Sequence, residues 1–200
     1  MGIPGESPGI RNLKESHLPR LGQNRTPSLP ELLRAAVEDE LSDFFVAMPG
    51  KVEKYTDTGD VPKANVKPLL KRAFINQDGS EGLDDLGIVN DVPVIWPRGG
   101  GFFFRMPVQV GDNVLLVFMD RSIDEYMFSG GSSSVDPVDF REHDISDAVA
   151  IPGFYPFAKP LKNASAVAGK LALGADVPGK FISVDSTGIT EINGNFKVLP

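Results

Sequence analysis

The stretch Val110-Gly111-Asp112-Asn113-Val114-Leu115-Leu116-Val117-Phe118 decides how this chain is read. A Gly-Asp-Asn turn opens it, and an apolar run of strand length with β-branched residues follows. The lack of polar alternation in Val114–Phe118 predicts a strand buried on both faces. Upstream, Phe102–Met106 reads as its hairpin partner across the turn. Working outward, Phe44–Tyr55 is a strand with an irregularity at Pro49-Gly50. Ala64–Phe74 is apolar and β-branched in places, and Val92–Trp96 is a short strand. Glu125–Phe128 is expected as a last strand before a linker at Gly130–Ser134. Residues 76–91 hold five acidic residues and no basic one, the mark of a solvated loop.

Five or so short strands predict a mainly β protein built on a small Greek-key barrel of the OB type, over residues 44–130. A helix precedes it, in residues 28–43. Ser28 and Glu31 have capping-box spacing, and Pro30 is tolerated in a first turn. Leu29, Leu32, Leu33, Ala36, Val37 and Leu41 then share one face at helical period, so the helix runs over Leu29–Leu41. Residues 1–27, rich in Pro, Gly and charge, are expected as a flexible arm or an extended partner-binding strap.

Beyond a linker and neck at 131–175, which ends in small apolar residues, the chain turns to short β segments. These are Phe181–Val184, Gly188–Ile192 and Phe196–Val198, punctuated by Asp185-Ser186-Thr187-Gly188 and Asn193-Gly194-Asn195. Strands spaced by roughly seven residues suit a β-solenoid or intertwined β-helix. Strands this short cannot form a core alone, and they present open edges. Copies from neighbouring subunits would cover both, which predicts a cyclic oligomer with three chains on one axis as the simplest closed solution. The alternative is a pair of hairpins folded back on the barrel.

Composition narrows the chemistry. The 200 residues contain no cysteine, so disulfides, thiolate catalysis and Cys-based zinc sites are excluded. Residues 1–27 carry four Lys or Arg against two Asp or Glu, so the rest carries about −9 of a formal net charge of −7. An acidic body argues against nucleic acid and against charge-driven docking on anionic lipid. No apolar run reaches membrane-spanning length, and no signal peptide opens the chain, which fits synthesis in a cytoplasm.

Three segments carry a resemblance. They are Pro97-Arg98-Gly99-Gly100-Gly101-Phe102; Val110 to Phe118 with Arg121-Ser122-Ile123; and Arg141-Glu142-His143-Asp144-Ile145-Ser146-Asp147-Ala148-Val149-Ala150-Ile151-Pro152-Gly153. Together with Glu31-Leu32-Leu33-Arg34, and over about residues 28–155, the chain resembles the central-spike, or membrane-puncturing, proteins of contractile phage tails. The resemblance implies an OB-fold domain, a trimer, a C-terminal β-helical needle (here residues 176–200) and no catalytic residues. It places the protein in the virion, attached to a tail hub or tube protein, with the host envelope as target. Members of that family commonly end in a His-x-His that binds iron. The only histidines here are His17 and His143, so no metal or other cofactor is expected, and a separate tip protein is a possible partner. Leu29, Leu32, Leu33 and Val37 are the expected hub or partner contacts. Phe102, Phe104, Phe181, Ile182, Val184, Ile189, Ile192, Phe196 and Val198 are the expected subunit-interface residues.

Other constellations read as structural. Gly99-Gly100-Gly101 lacks a following Gly-Lys-Ser/Thr, so it is expected as a loop or bulge with close backbone approach rather than a phosphate loop. Phe102, Phe103 and Phe104 would suit a stacking platform, the basis of a competing reading as an OB module for oligosaccharide or single-stranded nucleic acid. His143, Asp144 and Ser146 are too close in sequence for a triad, and the expected role of Asp144 and Ser146 is to bond backbone amides in a turn. Glu81, Asp84 and Asp85 lack calcium-loop spacing and read as solvated.

Overall fold

The computed structural model describes residues 28–58, 61–75 and 80–194. The chain divides into two compact units, with the boundary between Gly153 and Phe154.

The first unit opens with helix α1 (Leu29–Ser42), one residue longer than the periodicity predicts. The capping box forms: Glu31 Oε2 accepts from the Ser28 amide at 2.7 Å and from its hydroxyl at 2.8 Å. The strands β1 (Ala47–Thr56), β2 (Lys63–Pro68), β3 (Lys71–Ile75), β4 (Glu81–Asp85), β5 (Val89–Pro93), β6 (Arg98–Gly99), β7 (Phe102–Phe103) and β8 (Asn113–Phe118) follow. A short helix, α2 (Asp124–Phe128), and strand β9 (Ala148–Pro152) complete the unit.

Among the described residues, five strands form one sheet in the order β5-β2-β1-β8-β9, with every neighbouring pair antiparallel. Its two edges meet where Val94 bridges Ala150 in parallel, and the Ile95 amide donates to the Ala150 carbonyl at 3.0 Å. The result is a curled, OB-like half-barrel. Strand β1 pairs with β8 on one edge and β2 on the other, and its ladder to β2 slips by one residue between Val52 and Lys54. At the same point the 109–112 turn docks, with Val52 N–H donating to the Asp112 carbonyl (2.9 Å) and Gly111 N–H to the Val52 carbonyl (2.8 Å).

Alternation along β2 and β8 builds much of the core. Val52 from β1, Ala64 and Val66 from β2, Val89 and Val92 from β5, Val114, Leu116 and Phe118 from β8, and Ala148 and Ala150 from β9 are all buried in one cluster. Gly50 is needed for close approach, since a Cβ there would lie 2.4 Å from Val66 Cγ1 and 3.2 Å from Leu116.

Several expectations need correction. Val114–Phe118 is not buried on both faces: Leu115 and Val117 stay half-buried on the outer side, because an antiparallel half-barrel has one wetter face. Its partners are β1 and β9, not Phe102–Met106. Residues 102–103 pair instead with 98–99, through a two-residue turn at Gly100 (φ 57°) and Gly101 (φ 84°). Those glycines are required by positive φ rather than by close approach, since a Cβ at Gly99, Gly100 or Gly101 would meet nothing within 4 Å. Glu125–Phe128 is helical, and the acidic 76–91 stretch contributes β4 and the start of β5. The sheet takes its fifth strand from 148–152, well past the 44–130 expected for the barrel and inside the stretch expected as linker and neck.

Among its described residues, the second unit holds one three-stranded antiparallel meander, β10 (Leu171–Gly174), β11 (Phe181–Val184) and β12 (Thr190–Asn193), in the order β10-β11-β12. The described residues of one chain therefore form a meander and not a coil of β-helix; Phe196 and Val198 lie outside them. Asn163 ties the preceding coil to the β10–β11 connection, its Nδ2 donating to Ala175 and Val177 carbonyls and its Oδ1 accepting from the Gly179 amide.

Substituting Gly50→Ala should destabilise the first unit by about 1–3 kcal/mol through overpacking. Urea unfolding followed by Trp96 fluorescence measures this, and an unchanged midpoint would refute the close approach.

Candidate functional site

Three surfaces stand out, two in the first unit and one in the second. On α1, Leu29, Leu32, Leu33, Val37 and Leu41 form a row in which every side chain is at least half exposed. The helix is attached to its unit at its C-terminal end. Asp43 Oδ1 accepts from Arg72 NH2 at 2.7 Å, and the chain leaving the helix is held at Phe45. There the Phe45 amide donates to the His143 carbonyl (3.1 Å), and His143 Nδ1 donates to the Phe45 carbonyl (3.0 Å). The His143 ring stacks on Phe44 with centroids 3.7 Å apart, and its Nε2 lies 3.2 Å from Asp120 Oδ1. Ser146 does not face His143; its hydroxyl and amide both donate to Asp144 Oδ1, at 2.6 and 2.8 Å. These bonds hold the Asp144 carboxyl below its ordinary value, the hydroxyl having the larger effect.

The long connection between β8 and β9 is closed by a charged clasp. Arg141 donates from Nε and NH2 to the buried Asp147 carboxylate (2.5 and 3.0 Å), from NH2 to Asp124 (2.8 Å) and from NH1 to Asp139 (2.7 Å). Asp147 Oδ1 also accepts from the Ile123 amide, at 3.1 Å. The three carboxylates raise the Arg141 pKa further, with Asp147 contributing most. Arg121 pairs with Glu142 beside it. Sequence reading missed this clasp, because its longer bonds join residues 6, 17 and 24 positions apart with no motif between them.

The hairpin of β6 and β7 leaves Phe102 and Phe103 largely uncovered, with Phe104 partly so. On the meander, register puts Leu173, Ile182 and Ile192 in one cross-strand row, and Leu171, Val184 and Thr190 in the next. Leu171, Leu173, Ile182 and Ile192 are each about half exposed or more, Val184 is half-buried, and Ile189 in the preceding turn is exposed. Phe181 differs from the other expected interface residues: it faces the opposite side and is 5% exposed within its own chain. Ser183, beside it on that side, is 1% exposed, and its Oγ has no hydrogen-bond partner among the described residues.

A groove of about 290 Å³ lies along the meander between Leu173, Phe181, Ile182 and Ile192, and one of about 390 Å³ lies between Ile88, Asn90, Ile145 and Ser146. Among the described residues no group of three or more His, Asp or Glu is placed to hold a metal ion. Asp84 and Asp85 sit instead on β4, where Asp85 lies near Lys67 and Lys71 (3.5 and 3.4 Å). No helix among these residues is long and apolar enough to cross a membrane.

Residues 48–153 match the family described as the phage protein Gp138 N-terminal domain, which is just over half of the 200 residues. The chain belongs to that family. It is a phage, baseplate-related family. No curated protein matches the chain significantly. The Gp138 N-terminal domain begins on β1 and ends at the boundary between the two units, so it comprises the half-barrel, its hairpins and the clasp. Helix α1 and the meander lie outside it.

Arg141→Ala should cost about 2–4 kcal/mol, since it strands the buried Asp147; the quarter of Arg141 still in water keeps the loss low in the range for buried pairs. Arg121→Ala, between half-exposed partners, should cost under about 1 kcal/mol. Equal losses in denaturant unfolding would contradict the difference. Asp144→Asn mimics the protonated carboxyl. Because the folded pKa is lowered, the stabilisation from Asp144 is present above about pH 4 and disappears as pH falls through the folded value. The gap between parent and variant should be flat from about pH 7 to 5 and narrow as the pH falls below the ordinary carboxylate value of about 4; thermal unfolding across that range measures it.

Proposed function

We propose that this chain is the central spike of a contractile phage tail baseplate. In this reading it is a homotrimer made in the host cytoplasm and built into the virion. It attaches to the tail hub or tube and breaches the host envelope when the sheath contracts. Membership in a baseplate-related phage family and the OB-like half-barrel support the phage structural part of the reading.

The observation that carries the rest is the apolar face of the meander. Five apolar side chains stand on one side of a three-stranded sheet whose outer strands, β10 and β12, pair with no further strand among the described residues. Burying a side chain of this size contributes about 1.5–3 kcal/mol, and an exposed apolar sheet with free edges invites pairing with another chain. Three copies on one axis cover every such face with one repeated contact. The function is then mechanical, since interlocked strands resist buckling when no chain can unravel alone. The row on α1 is the surface for the hub, and a separate tip protein would cap the far end.

Light scattering at micromolar concentration should give three times the 21.6 kDa chain mass. Ile182→Asp with Leu173→Asp should lower that mass, and Glu191→Gln, on the other face, should leave it unchanged. A monomeric parent protein, or a double variant that stays trimeric, would overturn the reading. A monomer whose Trp96 fluorescence responds to oligosaccharide or single-stranded DNA would favour a binding module instead.

A further inference from the structure

The β6–β7 hairpin carries an uncovered aromatic ring beside a cation. Arg98 and Phe103 stand opposite each other in its ladder, so their side chains share one face. Phe103 is 77% exposed. Arg98 is exposed too, and it forms no ion pair among the described residues. The hairpin is held at its base: the Phe104 amide donates to the Pro97 carbonyl (2.9 Å), and Arg105 NH2 donates to Asp57 Oδ2 (2.6 Å). The groove at the start of β5 has the complementary make-up. Ile88, Val89 and Ile145 give it apolar walls, and at about 390 Å³ it has room for a phenyl ring. Asp91 follows Asn90 of one wall, and Asp144 precedes Ile145 of the other. Asp91 is held at φ 56°, with its amide donating to Asn65 Oδ1 (3.2 Å), and its carboxylate pairs with no cation among the described residues.

We propose that the hairpin of one copy seats in this groove of the next, with Phe103 between Ile88 and Ile145 and Arg98 on Asp91. The occupant is a second copy because one chain keeps the two features apart. Register sets Thr56, Lys63 and Pro93 side by side at the hairpin's end of the sheet, and Val52, Val66 and Val89 side by side at the groove's end. Three or four residues separate these rungs, about 10–14 Å at about 3.4 Å per residue. A knob and a hole on different patches of one chain make a head-to-tail contact, and its repetition can close a ring. A phenylalanine buries about 150–250 Å² at most, far below the roughly 1,200 Å² of a stable interface. The contact therefore adds to a larger one. To that extent the inference rests on the trimer proposed above, in which the seated hairpin fixes how neighbouring half-barrels are turned.

The chain has no cysteine, so disulfide trapping in the full-length protein tests this directly. Phe103→Cys is combined with Asn90→Cys, and each is also made alone. Head-to-tail seating requires interchain disulfides to form at least about tenfold faster in the double variant than in either single one, up to a covalent ring of three chains. Adding Arg98→Glu should slow the double variant. Adding Asp91→Asn to that should recover part of the rate, since Asn tolerates the left-handed backbone and removes one of the like charges. Equal rates in single and double variants overturn the seating, as does a disulfide within one chain. A rate indifferent to Arg98→Glu overturns the Arg98–Asp91 pairing. Light scattering on the parent separates this contact from the meander's. A trimeric parent whose double variant does not crosslink refutes the hairpin contact alone. A monomeric parent whose double variant still crosslinks head to tail at raised concentration refutes the meander reading and keeps the hairpin contact. A monomer that does not crosslink refutes both.

Discussion

Strand β1 is hydrogen-bonded along both edges, and the first unit depends on that double pairing. A flat strand with two full ladders would give a flat sheet. Here the one-residue slip after Val52 interrupts the ladder to β2, and on the opposite edge the 109–112 turn carries on from β8 by bonding Val52 on both its N–H and its C=O. The sheet can then curl until β5 and β9 meet at Val94 and Ala150. Curling brings five strands' inward residues into one cluster, so strands of five to ten residues each bury enough apolar surface to hold together.

Closure imposes a second demand. Strand β9 must return to β8 after a connection that begins at Met119 and runs to Asp147, an entropic cost that grows with length. The clasp around Arg141 offsets it by fixing α2, the 139–142 segment and the start of β9 to one guanidinium. His143, held in a left-handed backbone conformation at φ 48°, fastens the same connection to the segment that leaves α1. The helix is therefore anchored at one end, and among the described residues its apolar row is exposed.

The meander is held in a different way. Its register is secured by backbone ladders, by Asp185 accepting from Thr187 and Ile189, and by Asn163. Among its described residues, the buried side chains are Phe181 and Ser183. Three strands of four residues with so little buried apolar mass gain stability chiefly from what covers their open face. That imbalance separates the second unit from the half-barrel, and it links the sheet's geometry to assembly.

How much of this was legible beforehand depended on how local the determining physics is. The helix was readable because capping and period are properties of Ser28–Leu41 alone, and the strands at Val92 and Val114 because β-branched runs have few other uses. The apolar residues that stand exposed on α1 and on the meander were visible as patterns before their exposure was known. By contrast, the partner of β8, the fifth strand at 148–152, the slip in β1 and the clasp join residues far apart in the chain, and no pattern records a contact between residues that are not neighbours. The acidic 80s were misread for the same reason: Asp84 and Asp85 occupy a strand because β3 offers a ladder and Lys67 and Lys71 offer charge. The sequence by itself determined the helix α1, the apolar strand at Val114–Phe118 and which side chains need burial. Only the tertiary structure decided which edges pair and which face turns inward, because closing a sheet is a long-range choice made by the fit of the whole core.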